Sequence, residues 1–168
     1  MRERVRMELD DQASVPSEDQ QTERYPHSRL TNAIIGGAFN VHGIFGGGFL
    51  ESVYANALTV ELRSRGLHVE RHVVFELFYR GTRVGRYVAD LVVEGTVVVE
   101  TKAARAIEAP HRAQLLNYLR ASGLEVGLVL NFATSVQFKR VVSTAATRPA
   151  SHVRQSFSEH NGNGNGNT

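Results

Sequence analysis

The feature that most constrains the fold is a long strand-like stretch in the middle of the chain. From Leu67 to Lys102, hydrophobic residues alternate with polar ones or form short runs of valine, and the pattern breaks at Arg80-Gly81 and Glu94-Gly95. A period of two is typical of β-strands, and glycine next to a polar residue is typical of the turns between them. The stretch therefore predicts three consecutive strands joined by two tight turns.

Helical patterns flank these strands. Residues 28–45 and 49–66 have hydrophobic residues at near-helical spacing, with glycines 46–48 between them. The second helix is predicted to present one hydrophobic stripe, formed by Leu50, Val53, Tyr54, Ala57, Leu58 and Leu62. After the strands, "APHRAQLLNYLRASG" predicts a helix, "LEVGLVLNF" a central strand and "VQFKRVV" a last strand. The predicted order is α, α, β, β, β, α, β, β.

The two ends of the chain differ from this middle part. Residues 1–24 are polar and charged without a hydrophobic period, and the chain closes in "NGNGNGNT". Such segments cannot bury enough hydrophobic surface to fold. We therefore predict one domain over residues 25–151, with disordered tails at 1–24 and 152–168.

Composition narrows the function classes. The 168 residues include no cysteine, which excludes a disulfide scaffold and a thiolate metal site. We see neither a signal peptide nor a hydrophobic run of transmembrane length, so we expect a cytoplasmic protein without a membrane partner. The net charge of +2 gives no strong attraction to nucleic acid by charge alone.

Three charged residues stand out in the second hairpin. Glu100 and Lys102 are two apart on a strand, so they point to the same face. Asp90 joins them only if the turn at Glu94-Gly95 has an odd number of residues. A three-residue turn with Gly95 in the left-handed conformation would set Asp90 opposite or diagonal to Glu100, with about 4.5–8 Å between Cβ atoms.

Two carboxylates at that separation repel each other unless something compensates their charge. A divalent cation would do so, because Mg²⁺ prefers oxygen ligands and often takes one or two carboxylates plus waters. Lys102 beside it could orient a water or stabilise a developing negative charge. The alternative is a structural salt bridge between Lys102 and either Asp90 or Glu100, and the pattern alone leaves both interpretations open.

Two helices carry further candidates. Glu51 falls on or beside the hydrophobic stripe of the second helix, although an acid in a first helical turn is also favoured by the helix dipole alone. Gln114 shares a face of the third helix with Tyr118, and an ordinary boundary position explains it equally well.

Taken together, these residues resemble the PD-(D/E)XK nuclease superfamily. The resemblance rests on an acid in a helix, then "ADLVVEGTVVVETK" with its Asp-x9-Glu-x-Lys spacing, then a glutamine in the next helix. It implies an α+β (α/β) fold with an αβββαβ core, a mixed sheet flanked by helices. "GFLESVY", Gly48 to Tyr54, also fits the GxxExxY signature of a family of small bacterial and archaeal proteins within that superfamily. Gly47 and Ala133 depart from that family, which often has Pro and Gly there.

The resemblance implies roles for individual residues. Asp90 and Glu100 would be ligands of Mg²⁺ or Mn²⁺, helped by the Thr101 carbonyl and by Glu51. Lys102 would be the catalytic lysine. The catalytic set as a whole would be Glu51, Asp90, Glu100, Lys102, Gln114 and Tyr118.

Two functions follow from these roles. The first is a Mg²⁺-dependent nuclease that hydrolyses phosphodiester bonds of DNA or RNA, and the second is a non-catalytic module that binds nucleic acid or protein on the same fold. Basic residues could contact a phosphate backbone, although each could equally lie on a solvated face: Arg71, Arg86, Arg105, His111 and Arg112. The small net charge favours a local contact or help from a second copy or a partner subunit.

Overall fold

The computed structural model describes residues 26–143 and the backbone of residues 153–156. Within this part of the chain the predicted element order is confirmed, with one further strand at the end. The helices are α1 Ser28–Phe45, α2 Glu51–Ser64 and α3 Ala109–Ser122. The strands are β1 Val69–Tyr79, β2 Thr82–Val93, β3 Val97–Lys102, β4 Val126–Phe132, β5 Val136–Val142 and β6 Val153–Ser156.

The strands form one mixed sheet in the order β5-β4-β3-β2-β1-β6. β3 and β4 are parallel, and all other neighbours are antiparallel. Parallel neighbours need a crossover connection, and α3 provides it between β3 and β4. β4 is buried at every position, in agreement with the interior strand that its sequence predicted.

Helices cover both faces of the sheet. On one face, α1 and α2 bury Ile34, Leu58 and Leu62 against a layer that includes Val97 and Val99. On the other face, α3 buries a second cluster built from Leu115, Leu119, Val92, Val98 and Val129. None of the helices in the described residues combines the length and hydrophobicity needed to span a bilayer. The expected αβββαβ core, an α+β arrangement of a mixed sheet flanked by helices, is therefore confirmed.

The turn between β2 and β3 has the odd length on which the site prediction depends. Val93 pairs with Val97, so three residues form the turn, and Gly95 has a φ of 62° in the left-handed region. The register continues to the pair Leu91–Val99. The ladder ends at that pair, and Asp90 and Glu100 are the next residues of the two strands.

Strand β6 departs from the tail prediction. It lies within 152–168, where disorder was predicted, and pairs antiparallel with β1. The free edge of β1 offers unpaired backbone groups, and a short segment can use them without a hydrophobic pattern of its own. The other predicted tail residues lie outside the described part of the chain, and the domain limits stay a prediction.

Leu50 was assigned to the hydrophobic stripe of α2, and this was wrong. It precedes the helix with extended backbone angles, φ −67° and ψ 152°, and its side chain is 76% exposed. A residue at the N-cap position does not follow the helical direction of the residues after it. Its exposure therefore places a large hydrophobic side chain on the surface directly beside Glu51.

Candidate active site

The carboxyl end of β3 gathers two buried charges. Lys102 Nζ lies 2.8 Å from Glu100 Oε1, and the two side chains are only 13% and 4% exposed. Val98 belongs to the α3-side cluster, and Glu100 and Lys102 follow it at intervals of two, so both charged side chains lie on the α3 face. The salt bridge considered from the sequence is present.

Asp90 joins this end of β3 through an irregularity in β2. Thr101 donates two hydrogen bonds to Asp90 Oδ2, from its backbone N at 2.8 Å and from Oγ1 at 2.6 Å. Ala89 packs in the α3-side cluster and Leu91 in the opposite one, so the usual alternation of faces is broken at Asp90. The facing position in β1 is His72, whose φ of 51° departs from the extended backbone of the strand.

The electrostatics of Glu100 are unusual for a salt-bridged acid. Burial is the main cause that raises its pKa to about 7, the negative charge of Asp90 adds to it, and the bond with Lys102 opposes it. Throughout residues 26–143, no group forms a hydrogen bond with the buried Glu100 Oε2. The lysine therefore satisfies one carboxylate oxygen and leaves the other without a partner.

Helices α2 and α3 bring the remaining predicted residues to the same place. Glu51 begins α2, its Oε1 lies 3.4 Å from Ala103 N, and its charge also raises the pKa of Glu100. Gln114 Nε2 donates to Tyr118 Oη at 2.8 Å. Burial and then the charge of Glu100 raise the pKa of Tyr118, so the phenol lies near the acids. Gln114 is therefore linked to the charged groups by its hydrogen bond to Tyr118.

The loop before α2 fixes where Glu51 lies. Gly48 has a φ of 107°, which only glycine adopts readily. The Tyr54 hydroxyl donates to Gly46 O at 2.8 Å and accepts from Phe49 N at 3.1 Å, while its ring stacks on Phe132. Gly48 and Tyr54, the first and last residues of "GFLESVY", thus hold the loop that positions Glu51.

Gly47 and Ala133, the two departures from the family pattern, meet at this loop. A Cβ on Gly47 would lie 2.4 Å from Ala133 O, so the loop rests directly on the backbone after β4. His42 Nε2 is 3.0 Å from the same carbonyl oxygen.

Sequence reasoning missed Asn131. Its fully buried side chain accepts from Ala104 N at 2.8 Å and donates to Ala104 O at 2.9 Å and to Gln137 Oε1 at 3.2 Å. It thereby holds the chain that leaves the site after Lys102. A single amide in the otherwise hydrophobic "VGLVLNF" was the signal that could have identified it.

The five basic residues predicted to contact phosphate lie on several different elements of the fold. His111 Nδ1 accepts from Glu108 N in a capping box at the start of α3, which gives it a structural task. Arg71 Nη2 is 3.3 Å from His72 Nε2, whereas Arg86 and Arg112 are exposed. Arg105 lies three residues after Lys102 and borders a cavity where the chain leaves β3 and β4.

The donor set can accommodate a divalent cation with few protein ligands. The described residues contain no group of three or more His, Cys, Asp or Glu side chains arranged to hold a metal ion. Asp90 and Glu100 nevertheless match the one or two carboxylates that Mg²⁺ commonly takes, and Glu100 Oε2 lacks a partner. Coordination by Glu51 and by the Thr101 carbonyl stays a prediction.

Comparison with known proteins places this geometry in a family. The search of curated proteins returned no match. A solved structure described as "Crystal structure of SSO0001" is similar, with 17% identity and a TM-score of 0.45 over 73% of this chain. The alignment covers 62% of that solved chain. The family model of the PD-(D/E)XK nuclease superfamily matches residues 28–141, which include every predicted catalytic residue. The chain belongs to the PD-(D/E)XK nuclease superfamily.

Proposed function

We propose that this domain is a metal-dependent nuclease that hydrolyses phosphodiester bonds in DNA or RNA. The observation that carries the proposal is the buried Glu100 carboxylate, whose Oε2 has no hydrogen-bond partner among the described residues although Asp90 lies close enough to raise its pKa. A purely structural ion pair between Lys102 and Glu100 does not require a second acid whose charge opposes the ionisation of Glu100. A cation between the two carboxylates supplies a reason for both acids.

The proposed ligands of Mg²⁺ or Mn²⁺ are Asp90 and Glu100, with the Thr101 carbonyl and Glu51 as further candidates. When bound, such a cation polarises the phosphate and offsets negative charge that develops in the transition state. Thr101 fixes Asp90 through two hydrogen bonds, so this ligand is held in place before any metal arrives.

Lys102 would act as a cation in this scheme. Burial lowers its pKa, but the hydrogen bond with Glu100 and the nearby acids outweigh burial and raise it overall. The ammonium therefore stays protonated near neutral pH, where it can position the attacking water and stabilise the phosphate charge. Tyr118, whose pKa is raised, also keeps its proton and can donate to a phosphate oxygen, with Gln114 orienting it.

We assign the chain, within its superfamily, to the GxxExxY family. Support comes from the "GFLESVY" stretch, in which Gly48, Glu51 and Tyr54 each have a physical task at the site. The second candidate function, a non-catalytic binding module, is favoured by the Lys102–Glu100 salt bridge, which already neutralises one acid.

A nuclease assay separates the two functions. The full chain is incubated with single- and double-stranded DNA and RNA in millimolar Mg²⁺ or Mn²⁺, and in EDTA as a blank. Lys102→Met should lower the rate by about 100-fold or more. The matched control is Lys139→Met, because Lys139 is the other lysine of the chain and lies exposed on β5. Equal activity of the wild type and Lys102→Met would identify a contaminant and contradict the proposal.

A further inference from the structure

A cavity of about 590 Å³ opens where the chain leaves β3 and β4. Three segments line it: the loop Gly47–Phe49, the chain leaving β3 at Ala103–Arg105, and the chain leaving β4 at Phe132–Thr134. Its volume is in the range of sites that take small molecules or parts of larger ones. Ala103, which lines it, directly follows Lys102, and its backbone N lies 3.4 Å from Glu51 Oε1.

One wall of the cavity includes Phe49, whose aromatic ring is only about half buried. Phe49 is 49% exposed, yet its ring makes edge-to-face contacts with Phe45 at 5.9 Å and Tyr54 at 6.3 Å between centroids. Its backbone N donates to the Tyr54 hydroxyl. The ring is thus held in position without being buried, which is how an aromatic residue provides a contact surface for a ligand at low entropic cost.

The other wall carries a cation. Arg105 is the basic residue among those lining the cavity, and it is exposed. A guanidinium group binds phosphate oxygens in a bidentate manner. The cavity therefore combines a flat hydrophobic surface with a phosphate-binding group, and nucleotides carry both complementary parts.

We propose that this cavity receives an unpaired nucleotide of a single-stranded nucleic acid, with its base against Phe49 and a neighbouring phosphate at Arg105. The inference rests on the proposed function, because the nucleic acid held at this cavity is the substrate that Glu100 and Lys102 would cleave. In a duplex the neighbouring bases cover both faces of each base, so an aromatic ring reaches only an unstacked one.

Binding is measured by fluorescence anisotropy in EDTA, where the metal-dependent reaction is blocked. The probes are labelled oligothymidine and oligouridine of about 12 nucleotides, and a blunt DNA duplex of equal length. We expect the full chain to bind single strands about 10-fold more tightly than the duplex, and Phe49→Ala to lose about 10-fold in single-strand affinity. Phe49→Tyr should keep the affinity, and Arg105→Ala should weaken it and reduce its salt dependence.

The matched control is Phe39→Ala, because Phe39 is 51% exposed and lies outside the cavity. Equal single-strand affinities of Phe49→Ala and Phe39→Ala would overturn the inference, and so would preference for the duplex. A dimer that Phe49→Ala dissolves without loss of single-strand affinity would assign the ring to a second copy and also overturn it. If Phe49→Ala loses single-strand affinity but the wild type does not hydrolyse nucleic acid in Mg²⁺, the binding site is supported and the nuclease is contradicted. If the wild type hydrolyses nucleic acid but Phe49→Ala keeps its single-strand affinity, the nuclease is supported and the binding site is contradicted.

Discussion

The first three residues of β3 and the two that follow them are almost equally buried, but they differ in chemistry. Val97, Val98 and Val99 are fully buried and pack into the clusters on both faces of the sheet. Glu100 and Thr101 are just as inaccessible, at 3% and 0% exposure, yet they carry a carboxylate and a hydroxyl. The ladder between β2 and β3 also ends at Leu91–Val99, and beyond it the Asp90 side chain accepts the Thr101 N–H.

The comparison teaches that burial alone does not reveal what a position contributes. Burial of the valine half removes hydrophobic surface from water and stabilises the fold. Burial of Glu100 desolvates an acid beside another acid, which destabilises its ionised form. The hydrophobic half therefore supports the fold, while the charged half carries the charge that the proposed cation would compensate.

The largest effect is expected when an amide side chain replaces one of the buried valines of β3. Val98→Asn should lower the free energy of unfolding by about 3–5 kcal/mol, because it removes buried methyl groups and leaves a polar group without partners. Urea unfolding followed by circular dichroism measures it. An effect below about 1 kcal/mol would show that water reaches this part of β3 and that the two halves do not differ as described.

The pH dependence of the metal-free protein provides a second contrast. The folded-state pKa of Glu100, about 7, lies above its ordinary value of 4.5. The folded protein therefore holds this proton more tightly, so the contribution of Glu100 to stability is fully present below about pH 4.5 and is lost as pH rises through 7. The expected loss between pH 5 and pH 8 is about 2.5 kcal/mol.

This loss is measured as the difference in unfolding free energy between pH 5 and pH 8 in EDTA, for the wild type and for Glu100→Gln. The variant lacks the titrating group, so only the wild type should show the extra loss. Identical pH dependences in the two proteins would place the pKa of Glu100 near its ordinary value.

Sequence reasoning predicted the parts of the site that follow from regular strand geometry. It missed the parts that depend on irregular backbone. The sequence left open whether the turn between β2 and β3 has two residues or three. The three-residue turn, with Gly95 in the left-handed region, sets the register that brings Asp90 and Glu100 to the same end of the β2–β3 ladder. The break in alternation at Asp90 depends on the backbone of His72 in another strand, which no local pattern encodes. Leu50 was misplaced for a related reason, since hydrophobic spacing does not reveal where a helix begins.

Asn131 illustrates a different limit. Its identity in a hydrophobic strand was visible, but its role depends on Ala104, which only the folded chain brings within hydrogen-bond distance. The exposed ring of Phe49 is similar, because a phenylalanine in sequence is more often buried than open.

The most direct test of the account concerns the same conservative change with and without metal. Glu100→Gln keeps the shape of the side chain and removes its charge, so at pH 8 in EDTA it should raise the free energy of unfolding. We expect about 1 kcal/mol, because the relief of repulsion exceeds the loss of the bond to Lys102. Addition of millimolar Mn²⁺ should stabilise the wild type and leave Glu100→Gln unchanged. If Glu100→Gln is less stable than the wild type in EDTA and Mn²⁺ stabilises neither protein, the buried charges form a structural salt bridge and the metal site does not exist.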